Sequence, residues 1–430
     1  MRIAEWIQAT IAPPIVDIYA VAREYDRSGQ PLINMGQGIP DMMPPAPCLA
    51  ALAERLADPA LHRYGPDQGL PELREALAAD YQRRLGVRLD PDREIIITAG
   101  ANHGFVLALL ALVQPGERVV LGAPYYFNHL MALQLLGMTG VEWPLTVQGD
   151  RFVLDLDGLA PRLAAGAAGV VCVNPNNPTG AVFGAEDIGG VVAACVRRGV
   201  PLFYDEVYSL IAFGEEPAGH PYGFAGGREH TIVLGSFSKL FGMTGWRVGY
   251  IIAPLPVVEQ MMKAQDTTVI CAPVAGQALA AECLRRCPDY PVAYCRELRR
   301  RVHRLSAAVR DIPALAWREP AGALFTMLPY RHPEPSRQLA ARLVREAGVM
   351  AIPGAAFGAS GEGHLRISFG FSDEATIAEA GRRLARFFTG DRNRSGRSRT
   401  VAPGAGGRTA GVRTAGDPGA DGTPGGADPC

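Results

Sequence analysis

Residues 236–250 read S-F-S-K-L-F-G-M-T-G-W-R-V-G-Y and put one lysine, Lys239, and one arginine, Arg247, into a glycine-rich corner. Apolar runs flank the corner at 231–234 and 248–253, and both read as buried strands. A lysine between buried strands is costly unless it is paired. Burial also lowers the pKa of an amine and leaves it nucleophilic, which suits Schiff-base formation with a carbonyl cofactor. Ser236 and Arg247 can hold an anion beside it, the arginine through two parallel hydrogen bonds. Taken by itself, Lys239 also reads as a solvated lysine on a surface loop.

Four other stretches carry groups of the same kind. Gly100-Ala101-Asn102 follows an apolar run at 95–98 and opens an apolar helix, where free N–H groups and the helix dipole favour an anion. Asn174-Pro175-Asn176-Asn177-Pro178-Thr179-Gly180 closes an apolar strand, 169–173, with a stiff turn. Asp205-Glu206-Val207-Tyr208 ends the strand 201–204, where ligands gather in α/β sheets. The adjacent acids could also serve a metal or general acid/base chemistry, but no third ligand is evident and no metal is expected. Arg366 stands between Leu365 and Ile367 on a late strand, either as a carboxylate clamp or as an edge charge.

In chain order these motifs resemble the class I/II aminotransferases, pyridoxal-phosphate enzymes of the aspartate-aminotransferase-like fold (fold type I). The matching pieces are the S-x-x-K…G-W-R-x-G stretch, N-P-x-N-P-T-G, D-E-V-Y, and P-G-x-x-F-G followed by R-x-S-F. The resemblance covers roughly residues 1–389. It implies that Lys239 binds pyridoxal 5'-phosphate and moves the substrate proton. It implies that Asp205 pairs with the pyridine nitrogen, that Asn177 and Tyr208 meet the phenolic oxygen, and that Tyr126 stacks on the ring. Gly100, Ala101, Asn102, Ser236 and Arg247 would hold the phosphate. Tyr64, in R-Y-G-P, would reach the phosphate of the neighbouring subunit, which makes a homodimer with shared sites. Gly38, Asn177 and Arg366 would receive the substrate carboxylate. Read alone, Tyr64 and Tyr126 are packing aromatics and Gly38 is an ordinary turn residue.

The elements that must position these groups give an α/β fold. Apolar runs alternate with helical patterns from 95 to 253, as in a mostly parallel sheet covered by helices on both faces. The expected division is an arm and part of a small domain at 1–42, a large cofactor domain at 43–285, and a small α+β domain at 286–389. From about 390 the chain turns rich in Gly, Arg, Thr and Pro, including G-R-T-A-G and V-R-T-A-G, and reads as a disordered tail. Its arginines 392, 394, 397 and 399 are an anionic-partner candidate or, more simply, solvated.

Composition sets the class. The chain has 430 residues, a formal net charge of −1 and 48% hydrophobic residues, which fits two globular domains and disfavours a nucleic-acid or acidic-membrane binder. The N-terminus lacks the pattern of a signal peptide, and the longest apolar stretch, 105–113, is too short to span a bilayer. The eight cysteines are scattered, and they read as reduced thiols of a cytoplasmic protein. Cys283 and Cys287 share a helix face without an accompanying histidine cluster. The expected activity is amino transfer between an L-amino acid and a 2-oxo acid. No basic residue is assigned to a distal carboxylate, and Tyr64, Tyr126, Ile15 and Ile39 suggest a neutral or aromatic side chain. A β-lyase, decarboxylase or cyclase on the same scaffold is the alternative. A non-catalytic cofactor-binding regulator would need a DNA-binding domain that does not precede Met35.

Overall fold

The computed structural model describes residues 1–25, 29–214 and 217–397, with residues 391–397 described by backbone alone. A seven-stranded sheet forms its centre. Ile95–Thr98, Gly169–Val173, Leu202–Asp205 and Thr231–Ser236 are buried at every position. Such unbroken apolar strands need cover on both faces, and helices supply it. Alternate side chains feed the two cores: Ile95 and Ile97 enter one, Ile96 the other.

Across the sheet the strands run Ile95–Thr98, Gly249–Ile252, Thr231–Ser236, Leu202–Asp205, Gly169–Val173, Arg118–Ala123 and Thr139–Pro144. Gly249–Ile252 is antiparallel to both of its neighbours, and every other pair is parallel. Six strands therefore end on the same edge, where the topology gathers ligands. Gly249 faces Thr98 on one side and Ser236 on the other. A Cβ at Gly249 would stand 2.7 Å from the Ala101 nitrogen, so only glycine lets this strand pass the turn that opens the helix Ala101–Leu112.

A second, antiparallel sheet joins Phe325–Pro329, His364–Ser368 and Ile352–Pro353. Close in sequence to it, Val349–Met350 pairs in parallel with Ile33–Asn34, so both chain ends build this region. The helix Pro71–Leu85 starts on its proline, passes Tyr81, and stops at Gly86 in the left-handed region, φ 67°.

The compact unit is Met1–Thr389. A tail was expected from 390, where the compact unit ends, and the backbone of the last helix, Glu374–Arg397, runs on past that point. The rest of the expected tail, 398–430, lies outside the described residues, as do the side chains of Arg392, Arg394 and Arg397. Among the described residues no helix is long and apolar enough to cross a membrane.

Candidate active site

Thr231–Ser236 delivers Lys239 to the carboxyl edge of the sheet. Ser236 caps the short helix Phe237–Leu240: its Oγ accepts from Ser238 N at 3.1 Å and donates to Val248 O at 3.3 Å. The turn so closed aims Lys239 into a cavity of about 340 Å3. Burial, followed by the guanidinium groups of Arg366 and Arg247, lowers the Lys239 pKa to about 8. The chain has one other lysine, Lys263, which is exposed and donates to Gln260.

Arg247 adopts φ 54°, a left-handed conformation that turns its side chain back onto the Gly100 turn. Gly100 itself has φ 87°, and a Cβ there would lie 2.6 Å from Arg247 Nη2. The guanidinium therefore rests on glycine backbone at the start of Ala101–Leu112. The first amides of a helix have no intrahelical partner, and Ala101 and Asn102 line the cavity with Ser236 and Arg247. Together they form a cradle for a phosphate-sized anion.

Asp205 enters at the end of Leu202–Asp205. Its Oδ1 accepts from Val207 N at 3.0 Å, and its Oδ2 faces His129 Nε2 at 3.3 Å. His129 is buried, with its ring 4.5 Å from Phe105 and 5.4 Å from Tyr126 between centroids. The sequence reading missed His129. Its one local signal is the helical spacing of three from Tyr126, and nothing in the sequence links it to Asp205. Glu206, adjacent in sequence, points away: its Oε1 accepts from Tyr250 Oη at 2.6 Å and from Tyr81 Oη. The two acids thus serve opposite faces of the sheet and do not act as a pair.

Of the three asparagines in the 174–180 loop, two are used by the loop. Asn174 exchanges hydrogen bonds with the Phe183 backbone, Oδ1 accepting at 2.9 Å and Nδ2 donating at 3.0 Å. Asn176 Oδ1 accepts from Thr179 Oγ1 at 2.7 Å. Asn177 is left to line the cavity, as do Asp205 and Tyr208. Burial pushes the Tyr208 phenol well up, so it stays protonated and can donate. Tyr126 lines the same cavity, and its Oη accepts from Asn128 Nδ2 at 2.7 Å.

Arg366, on His364–Ser368, is buried and is no edge charge. Phe325 and Phe357 sandwich its guanidinium at 4.8 Å each, Nη2 donates to Gly36 O at 2.7 Å, and Nε is buried with no hydrogen-bond partner. Burial lowers its pKa to about 10, which leaves it cationic at neutral pH. Gly38 lies against it, where a Cβ would come 3.2 Å from the Phe325 ring. Ile15, Tyr19, Gln37 and Ile39 complete that wall; Tyr19 and Gln37 were not anticipated. Tyr64 is not in the cavity of its own chain and is 79% exposed.

Pyridoxal phosphate fits this donor set. The cavity offers a single amine with a depressed pKa, an anion cradle whose glycine leaves no room for a Cβ, a carboxylate, and an amide with a protonated phenol.

A profile of the class I and II aminotransferases matches residues 30–384. The chain is 31% identical over 345 residues to an aspartate aminotransferase of Pyrococcus abyssi, covering 79% of this chain and 87% of that one. It is 31% identical over 366 residues to an LL-diaminopimelate aminotransferase of Dehalococcoides mccartyi, covering 84% and 93%. The solved N-succinyldiaminopimelate aminotransferase of Mycobacterium tuberculosis superposes with a TM-score of 0.82 at 29% identity, covering 89% of this chain and 99% of that one. The chain belongs to the class I and II aminotransferases, enzymes that depend on pyridoxal phosphate.

Proposed function

We propose that this aminotransferase takes the amino group of an L-amino acid with a neutral or aromatic side chain and exchanges it with a 2-oxo acid, as a cytoplasmic homodimer. The observation that carries the substrate class is the composition of the cavity. Among its lining residues the cations are Lys239, Arg247 and Arg366, and each already has a role. The wall beyond Arg366 is Ile15, Tyr19, Gln37 and Ile39, which offers apolar surface and neutral hydrogen-bonding groups but no cation to pair with a distal carboxylate.

Bound pyridoxal phosphate supplies an electron sink for the charge that develops at the substrate Cα. Ser236, Arg247 and the amides of Ala101 and Asn102 would hold its phosphate, Gly100, whose own N–H donates to Thr98 O, would supply the close backbone approach beside Arg247, and Tyr64 of a second copy would complete that end. Asp205, itself held by His129, keeps the ring nitrogen protonated. Asn177 and Tyr208 would hold the phenolic oxygen, and Tyr126 would supply an aromatic wall to the ring. Arg366 and Asn177 fix the α-carboxylate in a position that leaves the Cα–H bond facing Lys239. Lys239 Nζ would be the base that takes up that proton, a role suited to an amine that is partly neutral near pH 8.

A panel of amino donors tests the substrate class: hydrophobic and aromatic donors should exceed aspartate and glutamate in kcat/KM. A preference for a dicarboxylic donor would overturn it. One turnover with a good donor should yield one equivalent of 2-oxo acid. Carbon dioxide or free ammonia in its place would make the enzyme a decarboxylase or a lyase.

A further inference from the structure

Three thiols meet away from the cavity. Cys283 lies on the helix Val274–Arg286 and Cys287 caps its carboxyl end; Cys48 lies on Ala46–Arg55, which packs against that helix. Cys48 Sγ and Cys287 Sγ are 3.7 Å apart across 239 residues of sequence. Cys48 and Cys283 are fully buried, whereas Cys287 keeps partial exposure. The sequence showed Cys283 and Cys287 on one helix face; the fold adds Cys48 from a distant segment. By contrast, Cys172 and Cys195 lie in the interior, and Cys295 donates to Ala212 O.

We propose that Cys48 and Cys287 form a reversible oxidation site, closed to a disulfide by hydrogen peroxide. Cys287 Sγ, the thiol that solvent reaches, attacks a peroxide oxygen. The O–O bond breaks, Cys287 becomes a sulfenic acid, and one water leaves. Cys48 Sγ then attacks the Cys287 sulfur. The S–O bond breaks, the S–S bond forms, and the Cys48 proton leaves with the departing hydroxide as a second water. Two thiols have lost two electrons and two protons, and the peroxide has been reduced to water.

The geometry also sets the order and the partner. Burial, with the contact to Cys287, pushes the Cys48 thiol up to about 11, which leaves it little thiolate for the first attack on peroxide. A bond length of about 2.05 Å requires the sulfurs to approach by about 1.7 Å from the present 3.7 Å. Cys283 is the poorer partner for Cys287. Residues four apart on a helix hold their Cβ atoms about 5–6 Å apart, beyond the roughly 3.5–4.5 Å that a disulfide accepts. The bond would tie Ala46–Arg55 to Val274–Arg286 and restrict the unfolded chain over a long loop.

Peroxide treatment of the holoenzyme, with Cys287→Ser and Cys48→Ala in parallel, tests the site. In the wild type, mass spectrometry should show the loss of two hydrogens and a Cys48–Cys287 cross-linked peptide. Tm should rise by about several degrees and return with dithiothreitol. Cys287→Ser, altered at a part-exposed position, should show neither change. Cys48→Ala should gain oxygen at Cys287 without a cross-link. Oxygen added at Cys287 of the wild type without a cross-link, a Cys283 cross-link, or no reaction would each overturn the proposal.

Discussion

Arg366 Nη1 donates to Asn177 Oδ1 at 3.3 Å, and this bond joins the second sheet to the loop that follows a central strand of the first. The two residues are 189 apart in sequence. Two phenylalanine rings and the Gly36 carbonyl fix the guanidinium from the other sides. Its buried Nε has no hydrogen-bond partner, and a buried cation with an unused donor is costly to keep. A planar carboxylate is the group that repays that cost.

Arg366→Lys keeps the charge and loses the planar fork. A hydrogen bond to a charged group contributes roughly 1.5–3 kcal/mol, about ten- to a hundredfold in affinity. The expected outcome is a fall of that size or more in kcat/KM for every amino donor, with cofactor affinity unchanged. Parallel donor kinetics and equilibrium dialysis of the cofactor check it, and an unaltered kcat/KM would remove Arg366 from the carboxylate site.

Gly100→Ala acts at the opposite end. The new methyl group would stand 2.6 Å from Arg247 Nη2, at a residue whose φ of 87° L-residues rarely adopt. The guanidinium must move out of the anion cradle. Cofactor dissociation should rise about tenfold or more, since one charge-assisted bond is lost, while donor preference stays as it was. Dialysis of the loaded enzyme measures the first and the donor panel the second; a cofactor affinity equal to wild type would show that Arg247 does not hold the phosphate.

The sequence made legible whatever is local. The apolar runs at 95–98 and 169–173 are the observed strands, and the motifs at 100–102, 174–180, 205–208 and 236–247 do converge on one cavity. The missed residues depend on tertiary register. His129 matters because the helix Phe127–Leu135 carries it to Asp205, and no spacing within either segment encodes that meeting. Tyr19 reaches the cavity because the helix Val16–Glu24 carries it there, far in sequence from the other lining motifs.

His129→Leu removes the partner of Asp205 Oδ2 at nearly the same volume. A buried carboxylate left short of a donor costs about 1–3 kcal/mol, so kcat should fall roughly ten- to a hundredfold with a smaller change in KM. His129→Gln returns an N–H donor and should recover part of the loss. Steady-state kinetics of the two variants separate positioning from packing: equal defects would mean that the ring is needed only to fill space.

The pH dependence of the apoenzyme reports on Lys239 directly, because no cofactor then consumes the amine. Its pKa is about 8 in the folded protein, below the ordinary value of 10.5, with burial as the main cause. Below pH 8 the amine is protonated in both states, and the folded protein carries the full cost of a buried charge. Between pH 8 and 10.5 the unfolded chain binds the proton and the folded protein does not, so stability rises with pH through that window. Above it the amine is neutral in both states and the penalty is gone, a gain of at most about 3 kcal/mol. Lys239→Met cannot titrate and has no such penalty. The apo variant should therefore melt above the apo wild type at pH 7, and the gap should close as pH rises towards 10.5. All other titrating groups are common to both proteins and cancel in the difference. Paired melting curves from pH 7 to 10.5 make the measurement, and a gap that stays constant across the range would place the Lys239 amine in solvent and remove the basis for its role in catalysis.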